Sequence, residues 1–130
     1  EAYLPVLEAL GSLARGPVSG ELSETLARHA PSWVSQLAAL DPAPAARWRR
    51  DEAVATMPAR MLRELADALE VFTARRTLVL ALEDLHWSDP SSVELIDCLA
   101  RRRPAARLLV LGTLRPVEAA DRRLDGVLHE

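Results

Sequence analysis

The stretch Thr77–Pro90, TLVLALEDLHWSDP, decides the fold of this chain. Its apolar run, Leu78–Leu82, is short and unbroken, which is typical of a strand buried on both faces of a parallel sheet. Glu83 and Asp84 follow directly, and after a turn Asp89-Pro90 supplies a helix N-cap and a first helical residue. Open α/β sheets bind ligands at the carboxyl ends of their strands, so the stretch predicts an acidic ligand site there.

A second apolar run, Leu108–Leu111, predicts another buried strand, and a helical pattern separates the two runs. Strand, helix and strand in this order form a βαβ unit with parallel strands and a right-handed crossover. The carboxyl ends of both strands then share one edge, which would bring Thr113 and Arg115 to Glu83 and Asp84. A sheet usually has about 5–6 strands. The predicted fold class is therefore α/β with a partial parallel sheet of two strands.

The sheet is preceded by a helical segment, because residues 1–76 contain no strand pattern. Breaks are predicted at Gly16-Pro17, at Pro31 and in the loop 41–44. The clearest helix runs from about Pro58 to Ala74. Its inner stripe consists of Met61, Leu62, Leu65, Ala68, Leu69 and Phe72. Two pairs of opposite charges lie four residues apart and would each add ~0.2–0.5 kcal/mol, Arg60 with Glu64 and Arg63 with Asp67.

Composition excludes several classes of protein. The chain has 130 residues, of which 49% are hydrophobic, so one domain with a real core is expected rather than disorder. The net charge of -3 argues against bulk electrostatic binding of nucleic acid. Cys98 is the single cysteine, which points to a reducing, cytoplasmic setting. No apolar run approaches the roughly 20 residues of a membrane span, and the start does not resemble a signal peptide.

An acidic pair after a buried strand is suited to a site for a metal and a nucleotide. One carboxylate can hold Mg²⁺, mostly through water, and the other can orient a water that attacks a terminal phosphate. An arginine after the neighbouring strand can stabilise charge on the phosphoryl group. The pattern alone leaves alternatives open, since phosphatases and response receivers also place acids at strand ends, and solvated charges can end a strand.

The residues Leu78–Pro90 resemble the Walker B segment of AAA+/STAND-type P-loop ATPases, in particular the ATPase modules of bacterial regulators of the LuxR and MalT type. Residues 108–116 resemble the sensor-1 strand of that family, and residues 3–10 resemble the helix after its second strand. The segments 29–33 and 60–66 also fit. The resemblance implies that residues 1–130 are part of one P-loop NTPase-type domain. Its parts are a helical segment 1–76, the Walker B and sensor-1 unit 77–116, and the start of a further helix at 117–130.

The resemblance also implies roles for the residues at the sheet edge. Glu83 takes the place of the acid associated with Mg²⁺, and Asp84 the place of the acid that activates water. Thr113 or Arg115 takes the sensor-1 position, which contacts the γ-phosphate of ATP. The family more often has Asp first in the acidic pair, so which of Glu83 and Asp84 holds the metal stays open. His86 is expected to be structural rather than a metal ligand, and Trp87 to pack on the following helix.

The phosphate-binding loop of such an ATPase needs a glycine-rich backbone and a lysine. All 16 basic residues here are arginine, and Gly11, Gly16 and Gly20 do not have the required spacing. We therefore expect an internal fragment that begins after this loop, ends before the last strand and lid, and binds ATP weakly or not at all. The expected partners are ATP, the rest of the same domain and a second copy of the protein, without direct contact to nucleic acid or membrane. The alternative is a non-catalytic helical interaction module with a degenerate NTPase sheet.

Overall fold

The computed structural model describes residues 2–40, 57–102 and 106–115. Within these ranges four helices come first, and they are followed by a strand, a fifth helix and a second strand. The elements are α1 (Leu4–Ala14), α2 (Ser19–His29), α3 (Pro31–Leu40), α4 (Pro58–Thr73), β1 (Leu78–Leu82), α5 (Pro90–Ala100) and β2 (Leu108–Gly112). The predicted α/β class, with helices preceding a partial P-loop NTPase-type sheet, is confirmed. The predicted loop 41–44 and helical tail 117–130 lie outside the described residues.

Proline sets the start of several helices. Pro5 lies in the first turn of α1, and Pro58 and Pro90 occupy the first positions of α4 and α5. A proline is well placed there because the first amides of a helix have no partner within the helix. The predicted helix over about Pro58 to Ala74 is confirmed, with α4 ending at Thr73.

The core of the four-helix segment is built around Trp33, whose side chain is fully buried. Its indole Nε1 donates a hydrogen bond of 2.8 Å to the carbonyl oxygen of Met61, and its ring lies 5.1 Å from that of Tyr3. Glu64 of α4 accepts hydrogen bonds from the amide of Ser32, at 2.9 Å, and from its hydroxyl, at 3.2 Å. A carboxylate from α4 thus satisfies the amino end of α3.

The two strands are parallel and paired in register from Leu78 opposite Leu108 to Leu82 opposite Gly112. This confirms the predicted βαβ unit. Leu80 and Leu82 face inward and form a buried cluster with Ile96 of α5.

The prediction that these strands are buried on both faces is wrong for the chain as it stands. On the second face Val79 is 53% exposed, and Leu109 and Leu111 are each 50% exposed. The helices that pack on this sheet, α1 and α5, contribute to the clusters around Leu80 and Leu78, on the other face. An unbroken apolar run indicates that both faces suit burial, but it does not show that the covering elements are present.

One of the two predicted ion pairs on α4 is confirmed. Arg60 Nε lies 2.6 Å from Glu64 Oε1. Asp67, however, accepts from Arg102 Nη2 at 2.7 Å, while Arg63 Nε donates to the carbonyl oxygen of Ala59 at 3.3 Å. The prediction for Arg63 fails because Arg102, just after α5, reaches Asp67 across the contact between the two helices.

None of the helices within the described residues is both long enough and apolar enough to cross a membrane.

Candidate active site at the sheet edge

The four residues predicted to form a site follow the carboxyl ends of the two strands. Glu83 and Asp84 come directly after β1, and Thr113 and Arg115 come within three residues of the end of β2. All four are exposed. The parallel register brings the two strand ends to one edge of the sheet, as predicted. Their roles toward a nucleotide stay predictions.

Three hydrogen bonds join Thr113, the residue after β2, to the segment 82–85, which contains Glu83 and Asp84. Its amide donates to the carbonyl oxygen of Leu82 at 3.0 Å, and its carbonyl oxygen accepts from the amide of Leu85 at 2.8 Å. Its hydroxyl oxygen accepts from the amide of Asp84 at 3.0 Å. The segment 82–85 is therefore held by backbone and side-chain atoms of one residue on the neighbouring strand.

Asp84 has a left-handed backbone conformation, with φ 54° and ψ 46°. This region is unfavourable for most L-residues, but aspartate and asparagine enter it more readily than others. The residue turns the chain from β1 into a short 3₁₀ helix, Leu85–Trp87. The sequence indicates a turn here. The spacing of apolar residues, which predicts helices and strands, does not indicate whether φ of a turn residue is positive or negative.

The three side chains of the 3₁₀ helix differ in their exposure to solvent. Leu85 is buried, the His86 side chain is only 2% exposed, and Trp87 is 77% exposed. Because a 3₁₀ helix has three residues per turn, burying Leu85 and His86 directs Trp87 outward. The expectation that Trp87 packs on α5 is therefore wrong. His86 Nδ1 lies 4.0 Å from Asp84 Oδ1, which places a buried imidazole behind the exposed carboxylate.

Asp89 caps α5, as its position before Pro90 predicts. Its Oδ1 accepts from the amide of Ser92 at 3.0 Å, and its Oδ2 accepts from the Ser92 hydroxyl at 2.7 Å. The same Oδ1 accepts from the amide of Tyr3 at 3.1 Å. Burial alone would raise the pKa of Asp89, but these hydrogen bonds outweigh it and lower the pKa. The link to Tyr3 was not predicted, since no local pattern relates two residues so far apart in sequence.

The oxygen atoms at the edge suit a magnesium ion. Glu83 and Asp84 offer carboxylates and Thr113 a hydroxyl, and all are hard oxygen ligands. Within residues 2–40, 57–102 and 106–115, no group of three or more His, Cys, Asp or Glu residues could hold a metal ion. An ion held here would thus take its remaining ligands from water and phosphate, as Mg²⁺ commonly does.

A separate groove of about 500 Å³ lies beside β2, between that strand and helices α4 and α5. It is mostly apolar and is lined in part by Leu69, Ile96, Leu99, Val110 and Leu114. Glu83, Asp84 and Thr113 do not line it. The groove borders the acidic edge through Leu85, Gly112 and Leu114, and its lining lacks the paired carboxylates that would suit a metal ion.

The chain was also compared with known proteins. A family model described as an AAA ATPase domain matches residues 3–111. The match extends from the start of α1 into β2, and so it includes Glu83 and Asp84 and ends before Thr113 and Arg115. No curated protein and no solved structure shows a significant match. Because the family model spans well over half of the 130 residues, the chain belongs to the AAA ATPase domain family.

Proposed function

We propose that this chain is part of a Mg²⁺-dependent module that binds and hydrolyses ATP and that regulates the protein containing it. Membership of the AAA ATPase domain family supports nucleotide binding. The observation that carries the proposal for this edge of the sheet is the hydrogen bond from the Asp84 amide to the Thr113 hydroxyl, at 3.0 Å. It joins the turn that bears both carboxylates to the strand end that bears Thr113 and Arg115.

In this proposal each residue of the edge has one role. Glu83 is the carboxylate associated with Mg²⁺, and Asp84 orients the water that attacks the γ-phosphate. Arg115 places positive charge near the transferred phosphoryl group, and Thr113 directs its hydroxyl to a phosphate oxygen. Bound Mg²⁺ would supply neutralisation of the phosphate charge.

The lysine of the phosphate-binding loop has to come from outside these residues, because the 130 residues contain none. We propose that residues 1–130 are one part of an ATPase domain, with 1–76, 77–116 and 117–130 as its segments. The string Glu83–Pro90 supports a STAND-type module of a bacterial signalling or transcriptional regulator. A cytoplasmic location and self-assembly of that regulator belong to the same proposal.

Two isosteric substitutions in the intact protein test the proposal. Glu83→Gln and Asp84→Asn remove charge without changing side-chain size, so each should lower ATP turnover by at least 10-fold while folding is retained. Glu8→Gln is a matched control, since Glu8 is an exposed carboxylate of α1, at a distance in sequence from the edge. Turnover at the control level in both variants would refute the assignment of these carboxylates.

A non-catalytic interaction module is the second candidate. The observation that favours it is the half-exposed apolar face formed by Val79, Leu109 and Leu111, which could contact another protein segment. The two candidates differ in one measurement, which is calorimetric titration of the intact protein with ATP in the presence of Mg²⁺. Binding followed by turnover supports the ATPase, whereas a protein that binds no ATP supports the interaction module.

A further inference from the structure

The segment that connects Asp84 to Asp89 is short and bonded within itself. The amide of Trp87 donates to the carbonyl oxygen of Asp84 at 2.9 Å, and the amide of Ser88 donates to the carbonyl oxygen of Leu85 at 3.0 Å. The Leu85 side chain is buried, and one turn of 3₁₀ helix makes up most of the segment. A connection built in this way has little freedom, so a displacement of Asp89 would also move Asp84.

Asp89 is attached to the helices α1–α4 through the backbone of Tyr3. Its Oδ1 accepts from the Tyr3 amide at 3.1 Å. Tyr3 is only 3% exposed, and its ring lies 5.1 Å from that of the fully buried Trp33. The carbonyl oxygen of Tyr3 accepts from the amides of Val6 and Leu7, at 3.0 Å and 2.9 Å. Since its ring and its carbonyl are both held by the helical core, Tyr3 is a fixed point for Asp89.

Unfavourable backbone conformations lie at both ends of this connection. Among the described residues other than glycine, positive φ angles occur at Tyr3, with 62°, and at Asp84, with 54°. Such conformations persist only where the surrounding contacts hold them, and they concentrate at functional sites. Asp89 joins the two, because its carboxylate bonds to Tyr3 and the segment before it leads back to Asp84.

We propose that Asp89 is a positioning residue for Asp84, and that its bond to Tyr3 couples the acidic edge to the helices α1–α4. While Tyr3 holds Asp89, the short connection fixes the direction of the Asp84 carboxylate. The coupling is reciprocal, because a ligand that favours the held arrangement of the edge also favours the held arrangement of Tyr3. Occupancy of the edge by ATP and Mg²⁺ therefore stabilises the start of α1. This inference rests on the proposed function for the identity of the ligand, but the contact of Asp89 with Tyr3 exists without it.

Three substitutions of Asp89 separate its bond to Tyr3 from its action as a helix cap. Asp89→Asn keeps an oxygen that can accept from the amides of Tyr3 and Ser92. Asp89→Ser keeps a good N-cap for α5, but its oxygen lies one bond nearer to the backbone and falls short of the Tyr3 amide. Asp89→Ala removes both contacts. Ser92→Ala is the matched control, because it removes the 2.7 Å hydrogen bond from the Ser92 hydroxyl to Asp89 and leaves the bond to Tyr3 in place.

The first readout is hydrogen exchange of the Tyr3 and Trp87 amides in the intact protein, with and without ATP and Mg²⁺. Without nucleotide, both amides should exchange about 2- to 10-fold faster in Asp89→Ser and Asp89→Ala than in the wild type, as expected for loss of one hydrogen bond. Asp89→Asn and Ser92→Ala should exchange as the wild type does. ATP with Mg²⁺ should slow exchange of the Tyr3 amide in the wild type and in Asp89→Asn, and should have less effect in the other two variants of Asp89.

Kinetics supply the second readout. In Asp89→Ser, we expect kcat for ATP to fall by about 10-fold with KM changed by less than about 2-fold, since the alignment of Asp84 is lost rather than ground-state binding. Asp89→Asn should retain the wild-type kcat. A residue that only caps α5 would tolerate Ser as well as Asn, since both are good N-caps.

Two results would overturn the inference. One is wild-type exchange of the Tyr3 amide in both Asp89→Ser and Asp89→Ala, because Asp89 would then not hold Tyr3. The other is faster exchange of the Tyr3 amide with exchange of the Trp87 amide and kcat both unchanged, because the bond to Tyr3 would then not affect the acidic edge. If the wild type binds no ATP, the proposed function fails, while exchange without nucleotide still decides whether Asp89 positions the segment that leads to Asp84.

Discussion

The carboxylate of Asp89 accepts a hydrogen bond of 3.1 Å from the backbone amide of Tyr3, and this bond joins the start of α1 to the start of α5. Tyr3 has a left-handed backbone, with φ 62°, which is unfavourable for an aromatic residue. The same Asp89 oxygen caps α5 through the Ser92 amide. One carboxylate therefore accepts hydrogen bonds from backbone amides at the starts of two helices that lie far apart in sequence.

Replacing Asp89 should destabilise the fold more than loss of an ordinary cap does. Asp89→Ala removes the cap of α5 and the acceptor for Tyr3, and we expect a loss of about 1–3 kcal/mol in the free energy of unfolding. Urea denaturation followed by circular dichroism measures it. Asp89→Asn is the control, because its amide oxygen can still accept and asparagine is a good N-cap. Equal midpoints for Asp89→Ala and the wild type would contradict the prediction.

The same carboxylate makes stability depend on pH. The pKa of Asp89 is lowered in the folded state from its ordinary value of 3.8, so protons bind more readily to the unfolded chain. Its contribution is complete above pH 3.8 and is lost as the pH falls through the lower folded pKa. Urea midpoints measured from pH 7 to pH 3 test this. Asp89→Asn keeps an acceptor but loses the charge, so its urea midpoint should lie slightly below that of the wild type at pH 7, and the difference should narrow once the pH falls below 3.8. A constant gap over this range would show that Asp89 does not contribute in this way.

Gly112 has an ordinary φ, but a side chain at this position would meet Leu85. A Cβ at Gly112 would overlap Leu85 Cδ1, so Leu85 would have to shift and Gly112→Ala should cost about 1–3 kcal/mol of stability. Thermal or urea unfolding measures this. The cost should shrink when Leu85→Ala is also present, since that change removes the clashing atom. Gly20→Ala is the matched control, because a Cβ meets nothing within 4 Å there and Gly20 lies in α2. It should leave stability unchanged or raise it by up to ~1 kcal/mol.

The stability of the fold should depend on the indole nitrogen of Trp33. Trp33→Phe removes the hydrogen bond to the Met61 carbonyl oxygen and part of the volume at the centre of the helical segment. We expect a loss of about 2–4 kcal/mol, from the cavity together with the lost bond. Trp87→Phe is the comparison, since Trp87 is largely exposed and its replacement should change stability by less than about 0.5 kcal/mol. Equal effects on the urea midpoint would contradict the placement of the two rings.

The elements of the fold follow from local patterns in the sequence. The stripe on α4, the two apolar runs and the prolines at helix starts each report on a few neighbouring residues, and all of them lead to elements found in the structure. The βαβ order also fixes the parallel pairing, because the crossover leaves little choice. These local features are sufficient to place Asp84 and Thr113 at one edge of the sheet.

The atomic contacts of the edge could not be predicted in this way. The left-handed turn at Asp84, the hydroxyl bond from Thr113 and the contact of Asp89 with Tyr3 each depend on the positions of distant backbone atoms. The ion pair of Asp67 with Arg102 replaced a local pair for the same reason, since only the packing of α5 on α4 brings the two side chains together. Local patterns thus predicted that these residues share one edge of the sheet, and packing determined how they are held.

The second face of the sheet affects how the protein behaves in solution. Each strand has one neighbour among the described residues, so the outer edges of β1 and β2 leave backbone donors and acceptors without a strand partner. These edges border the half-exposed side chains of Val79, Leu109 and Leu111. Apolar strands with open edges favour aggregation through intermolecular strand pairing. When these 130 residues are produced alone, the aggregated fraction should therefore rise steeply with protein concentration, whatever the stability of the helical core.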